Sequence, residues 1–199
     1  QLTVTQIIER KNAQGLWEAA NSVVSGQIIR FTLTTRLTNQ PATWMNQQLR
    51  ATVPKGLSQL SAATLTKQSA VGLSTPIAGL QLLTDSSTGL PYWSYHNSLP
   101  ADNFTEANTQ FTLQYTATVT EEWINQFLLF SSTVTGNDGG GTPITPITKE
   151  QSLPIKNGTL RFVQMPTTVS FKNLPFPSKR TIYSPSTISA PFLIADGRV

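Results

Sequence analysis

One aromatic cluster carries the side chains best suited to binding chemistry. Tyr92, Trp93, Tyr95 and His96 lie between positions 92 and 96, and His96 is the single histidine of the chain. Planar aromatic rings cover the apolar faces of sugars well, and hydroxyl, indole and imidazole groups add hydrogen-bond donors. We therefore predict a ligand-binding patch made of these residues, with a carbohydrate as the candidate ligand. An aromatic-rich turn that binds nothing is the structural alternative.

Residue types give little support to catalysis or metal binding. With one histidine and no cysteine, neither a His-based metal site nor a Ser-His-Asp triad is indicated. A glycosidase needs two carboxylates about 5–10 Å apart, whereas Glu121 and Glu122 are adjacent and would point to opposite faces of a strand. Asp138 alone is far short of the roughly six to eight oxygen ligands that calcium takes. The sequence predicts a protein that is not an enzyme and needs no cofactor.

Composition favours a secreted, β-rich extracellular protein. Of the 199 residues, 38% are hydrophobic and only 12% are charged, which is about half the charged share of ordinary soluble domains. The absence of cysteine fits a surface protein of Gram-positive bacteria, where disulfides are uncommon. The net charge of +4 suits an anionic cell wall. Basic residues do not interleave with aromatics as a nucleic-acid site requires, and no apolar run is long enough for a membrane span.

Strict alternation of apolar and polar residues marks the strands that must position the patch. It is clearest from Gly26 to Thr38 and from Gln110 to Thr120, and this period of two is typical of half-buried strands in antiparallel sheets. Turn signals recur about every ten residues, without a long helical period, so we predict an all-β, Ig-like antiparallel sandwich. The apolar residues expected to share one core are Phe31, Leu33, Phe111, Leu113, Tyr115 and Val119.

A Gly-rich passage suggests where the chain divides. The run Gly-Asn-Asp-Gly-Gly-Gly-Thr-Pro that begins at Gly136 is the strongest linker signal in the sequence. We expect a sandwich over residues 1–140, a short linker over 141–157 and a partial second β domain over 158–199. Residues 136–146 are expected to be exposed, with little regular structure.

The last segment carries a recognisable order of residues. The residues in question are Gly158, Leu160, Met165, Pro166, Val169, Phe171, Tyr183 and Phe192 to Arg198. This order resembles the opening of the WxL domain, a cell-wall-binding module of many Gram-positive surface proteins. Three departures stand out: residues 196–198 have the order Asp-Gly-Arg, Val199 occupies a position where the family usually has Gly, and no Trp in the chain is followed two residues later by Leu. The resemblance covers about the first third of such a domain and implies binding to peptidoglycan.

A second resemblance spans residues 22–138. Val-Val-Ser-Gly-Gln-Ile-Ile-Arg-Phe-Thr-Leu begins at Val23, Leu-Arg-Ala-Thr-Val-Pro-Lys-Gly-Leu begins at Leu49, and a Thr-rich strand begins at Thr109. These stretches are similar to strands of the Ig-like conserved-repeat domains of bacterial surface proteins, although Thr52 stands near where that family often has Asp. The resemblance implies a spacer or adhesive sandwich.

Two functional hypotheses from different classes result. The first is a non-catalytic, cell-wall-associated extracellular protein, in which the sandwich is attached to a peptidoglycan-binding WxL-like module. Its partners would be the cell wall and other surface proteins, without nucleic acid. The alternative is a carbohydrate-binding or adhesin module that uses the aromatic patch of the sandwich itself. A hydrolase, the third class, is disfavoured by the scarce carboxylates and the single histidine.

Overall fold

The computed structural model describes residues 1–38, 43–120 and 126–156. Within these ranges the chain forms thirteen β-strands and one short 3₁₀ helix, and no α-helix. Contacts group Gln1–Asn157 into one compact unit and Gly158–Val199 into another. The predicted start of a WxL-like domain at 158–199 lies outside the described residues and stays a prediction.

The strands follow one another closely along the chain. They are β1 (Leu2–Lys11), β2 (Trp17–Ala19), β3 (Val23–Val24), β4 (Ile28–Leu37), β5 (Met45–Thr52), β6 (Leu57–Ser58), β7 (Thr64–Gln68), β8 (Thr75–Pro76), β9 (Gln81–Thr84), β10 (Pro91–His96), β11 (Gln110–Val119), β12 (Phe127–Asn137) and β13 (Ile147–Lys156). The 3₁₀ helix is Pro100–Asp102.

Two sheets make up the compact unit. Sheet one has the order β2-β1-β4-β11-β7-β8, with β6 also beside β11, and sheet two has the order β3-β13-β12-β5-β10-β9. Neighbouring strands are antiparallel except for the short parallel pair of β13 and β3. The predicted all-β antiparallel sandwich is therefore confirmed.

The core lies between the sheets and is made by the inward-facing positions of the alternating strands. β4 and β11 are neighbours, with Leu33 opposite Leu113 and Phe31 opposite Tyr115. All the residues expected to share one core are at most 1% exposed. The Phe31 ring stacks on Tyr115 of sheet one at 5.0 Å and on Phe130 of sheet two at 5.6 Å. This aromatic stack joins the two sheets.

The Gly-rich run that begins at Gly136 does not end the sandwich. β12 continues to Asn137 and β13 returns beside it, with Val134 opposite Ile147. Between them Asp138 closes a turn, because its carboxylate accepts hydrogen bonds from the backbone N–H groups of residues 140 and 142. The segment 141–157, predicted as a linker, thus contains a strand of the sandwich. The Gly-rich run marks a connection between two paired strands.

Candidate functional site

The predicted aromatic patch is divided between the two faces of β10. Trp93 and Tyr95 point into the core and are 8% and 3% exposed, whereas Tyr92 is half-buried and His96 exposed on the outer face. Successive side chains of a strand alternate between faces, so residues 92 and 93 cannot share one. The four side chains do not share one face, and Tyr92 and His96 are the two on the outer face.

The two outward residues lie in an open groove on the outer face of sheet two. β5 places Arg50 opposite Ser94 and Gln48 opposite His96. On the other side of β5, β12 places Thr133 opposite Arg50 and Thr135 opposite Gln48. The groove has a volume of about 410 Å³ and is lined by these residues together with Leu49, Tyr92 and Tyr95. It offers one aromatic ring among hydroxyl, amide, imidazole and guanidinium groups.

Arg50 fixes the aromatic side of the groove. Its guanidinium carbon lies 3.9 Å from the centre of the Tyr92 ring, a cation–π contact. The same guanidinium forms an ion pair with Asp85, at the end of β9. Because the charges of Arg50 and Asp85 offset each other, the groove suits a neutral polar ligand better than an ionic one.

Asp85 is itself held by its own turn. Its carboxylate accepts hydrogen bonds from the hydroxyl and backbone N–H of Ser87, at 2.5 and 2.8 Å, and from the backbone N–H of Thr88 at 3.2 Å. These bonds to Ser87, followed by the one from Arg50, hold the pKa of Asp85 well below its usual range. The ion pair with Arg50 therefore persists throughout the neutral and mildly acidic range.

Lowering the pH should weaken the contacts of Asp85 at this end of the groove only at pH values below the ordinary pKa of aspartate. A folded-state pKa lower than the unfolded value of about 3.9 contributes stability that is present above the unfolded value. That contribution is lost as pH falls through the folded-state pKa. We expect the Asp85 carboxyl carbon and the Ser87 amide to shift together below about pH 4 in an NMR titration. Titration of Asp85 at the ordinary value, with no change at Ser87, would contradict this, and Asp85→Asn is the control.

A buried amide cluster beside the groove was missed by sequence reasoning. The side-chain amide of Asn97 donates to Gln47 and, at 2.8 Å, to Asn103. Gln47 is 0% exposed and donates to the backbone carbonyls of Trp44 at 2.6 Å and Asp102 at 3.3 Å. These bonds fix the loop that follows His96. The one signal in the sequence is that Gln47 shares the inward parity of Leu49 and Ala51, which marks it as a polar residue in the core.

Lys67 ties the same loop to sheet one. Its ammonium donates to the backbone carbonyls of Ala101 and Asn103, both at 2.9 Å. Burial lowers the pKa of Lys67, against the opposing effect of the Asp102 and Glu106 carboxylates. We interpret Lys67 as a structural clamp, because two backbone carbonyls of the loop accept hydrogen bonds from its ammonium.

Within residues 1–38, 43–120 and 126–156, no group of three or more His, Cys, Asp or Glu side chains could hold a metal ion. The same ranges contain no helix long and apolar enough to cross a membrane.

Three known structures resemble the chain at low scores. A collagen-binding domain from a Staphylococcus aureus adhesin gives a TM-score of 0.41 and 10% identity, over 64% of this chain and 87% of that one. The major pilin subunit of Bacillus cereus gives 0.49 and 12%, over 80% and 41%. A protein that catalyses macrocyclization in alchivemycin A biosynthesis gives 0.42 and 10%, over 81% and 92%. No protein-family model and no curated protein matches the chain. At these scores the likeness adds nothing to what the sheets show directly.

Proposed function

We propose that the chain is a non-catalytic adhesive module of an extracellular bacterial surface protein, and that the outer groove of sheet two binds a neutral oligosaccharide. One observation carries the proposal: the Tyr92 ring is held by Arg50 in an open groove that polar side chains also line. A ring fixed before binding offers a stacking surface at little entropic cost. The surrounding hydroxyl, amide and imidazole groups can pair with sugar hydroxyls.

The charge balance of the groove decides which glycan class it fits. Arg50 is already paired with Asp85, so an anionic sugar would have to compete with a neighbouring carboxylate. A neutral sugar leaves this pair intact and bonds to Ser94, Gln48 and the two threonines of β12. The extracellular surface location rests on the low charged content and on the resemblance to Ig-like conserved-repeat domains.

Peptidoglycan binding through residues 158–199 is the second candidate function. It rests on the sequence resemblance to the opening of the WxL domain, and these residues lie outside the described ranges. In that case the sandwich would act as a spacer, and the groove would not be needed for retention on cell walls.

Replacing Tyr92 by Ala tests the groove. We expect the affinity of the full chain for a neutral oligosaccharide to fall about tenfold, equivalent to ~1.4 kcal/mol, because the stacking surface is lost. NMR titration with a panel of soluble neutral oligosaccharides measures this. Phe127→Ala is the matched control, since this exposed aromatic residue belongs to sheet two but does not line the groove. An equal loss in both variants, or no binding by the unaltered chain, would refute the proposed site.

A pull-down on purified peptidoglycan separates the two candidates. If retention survives Tyr92→Ala but is lost when Asp196 and Arg198 are both replaced by Ala, cell-wall binding is assigned to the last segment. Retention lost in Tyr92→Ala alone assigns it to the groove. If the chain binds neither soluble glycans nor peptidoglycan, both candidates fail.

A further inference from the structure

The groove on the outer face of sheet two is longer than a single sugar ring. On β10 it extends from Tyr92 to His96. Strand residues advance about 3.3 Å each, so these two positions lie about 13 Å apart. The outward side chains form successive rows across the strands: Tyr92 begins the groove, Ser94 is paired with Arg50 in the middle, and His96 is paired with Gln48 at the far end. A ligand that contacts both ends must therefore be extended along the strands.

An irregularity in β12 fixes the far end of the groove. Thr135 is the residue of β12 opposite Gln48, and the register shifts between Thr135 and Asn137. Such bulges re-aim a side chain and end regular pairing. The Thr135 carbonyl accepts a hydrogen bond from the Trp44 indole N–H at 3.2 Å, and the Thr135 hydroxyl donates to the Ile144 carbonyl at 3.2 Å. Both the backbone and the side chain of Thr135 are therefore held in place before a ligand binds.

The hydrogen bond to Ile144 gives the Thr135 hydroxyl a defined polarity. A hydroxyl group has one proton and two lone pairs, and the proton of Thr135 is already used. The side chain therefore offers a ligand an acceptor and not a donor. A sugar hydroxyl supplies the matching donor, whereas a methylated or deoxygenated sugar position does not.

We infer that the groove binds a straight, β-linked neutral glycan of at least three sugar units. One ring stacks on Tyr92, the next lies at the row of Arg50 and Ser94, and the third donates a hydroxyl hydrogen bond to Thr135. Two linked rings are shorter than the distance between the end rows, whereas three cover it. The inference rests on the neutral-oligosaccharide site proposed above and adds the length of the ligand, its shape and one of its donors.

The shape of the ligand follows from the direction of the strands. β10, β5 and β12 are consecutive neighbours in sheet two, and their outward side chains are aligned along the strand direction. In a β-1,4-linked glucose chain both bonds at each linkage are equatorial, so the chain is a straight ribbon with flat apolar faces. An α-1,4-linked chain curves, and it leaves the line of the strands. The groove therefore suits the straight chain.

NMR titration of the full chain with two series of glucose oligomers tests the inference. The probes are β-1,4-linked oligomers of one to five units and α-1,4-linked oligomers of the same lengths. We expect affinity in the β-linked series to rise about tenfold between two and three units and to change little beyond three, because the third ring reaches Thr135. The α-linked trisaccharide should bind no better than the α-linked disaccharide.

Variants of Thr135 separate a ligand contact from a structural role. Thr135→Val keeps the side-chain shape but removes the acceptor, so it should lower affinity for the β-linked trisaccharide about fivefold and leave that for the disaccharide unchanged. Thr135→Ser retains the hydroxyl and should bind the trisaccharide like the unaltered chain. Thr112→Val is the matched control, because this half-buried strand threonine belongs to sheet one. An equal loss for both ligand lengths in Thr135→Val would overturn the inference, since it would indicate a distorted groove.

The remaining outcomes distinguish this inference from the proposed site itself. If β-linked oligomers bind and Tyr92→Ala weakens them, but affinity depends neither on length nor on Thr135, the site stands and the inference is overturned. Tighter binding of the α-linked trisaccharide than of the β-linked one also overturns it. If other neutral oligosaccharides bind but the β-linked glucose oligomers do not, the inference alone fails. If no neutral oligosaccharide binds the unaltered chain, the proposed site and the inference fail together.

Discussion

Replacing Phe111 by Ala is expected to lower the free energy of unfolding by about 3–5 kcal/mol. The side chain is 1% exposed, and its ring centre lies 4.4 Å from that of Phe104, 5.6 Å from Trp44 and 5.7 Å from Tyr95. The substitution leaves a cavity where the Phe111 ring was. Because sheet hydrogen bonds hold the strands on both sides of this cavity, the neighbouring rings can fill it only in part. Urea unfolding followed by fluorescence measures the loss.

Phe127→Ala is the matched control for this cavity. Phe127 is also in a strand but is 56% exposed, so its truncation should change stability by no more than about 0.5 kcal/mol. If both variants unfold at the same urea concentration, or if Phe111→Ala unfolds with the unaltered chain, the assignment of Phe111 to the core is wrong.

The second large effect is expected at Gly136, where close packing requires the absence of a side chain. A Cβ there would lie 2.7 Å from the Met45 carbonyl oxygen and 3.0 Å from Trp44 Cδ1, and closer still to the indole nitrogen. The Trp44 ring is 0% exposed, and its N–H donates to the Thr135 carbonyl at 3.2 Å. Neither the ring nor the backbone can move without losing a bond, so Gly136→Ala should cost about 1–3 kcal/mol.

Gly140→Ala is the control for Gly136. This glycine is exposed in the turn before β13, and an added Cβ would meet nothing closer than Asp138 Oδ1, at 3.4 Å. Thermal unfolding should separate the two variants, and the near-ultraviolet circular dichroism of Trp44 should change only in Gly136→Ala. A comparable loss of stability in both would show that turn flexibility, and not contact with the indole, is what matters.

Local pattern predicted the central strands because burial imposes a period of two on them. β4 and β11 alternate without interruption, and both were found close to their predicted bounds. The same rule already separates Tyr92 from Trp93, so the division of the aromatic patch was available from the sequence. Arg50, in contrast, had no local signal. Its role depends on the pairing of β5 with β10, which only the folded chain defines.

β13 was missed for a related reason. Only its last residues, Leu153 and Ile155, are buried, and the preceding stretch from Thr148 to Ser152 is polar. Such a strand forms because it makes hydrogen bonds with β12. This interaction is non-local, so it cannot be predicted from the composition of the segment. A Gly-rich run before it reads equally well as a linker or as a turn, because both need backbone freedom. Pairing decides between them.

The positions of β1 and β13 bear on how the sandwich would carry tension. Leu2 pairs with Leu37 at one end of the molecule, whereas Lys156 lies beside Val24 at the other. A pull applied between these residues runs along the strands and loads the hydrogen bonds of β1 with β4, and of β13 with β12, in shear. Under this load the hydrogen bonds must break at the same time and cannot break one after another. In the adhesive module proposed above, this arrangement makes mechanical resistance a property of strand connectivity.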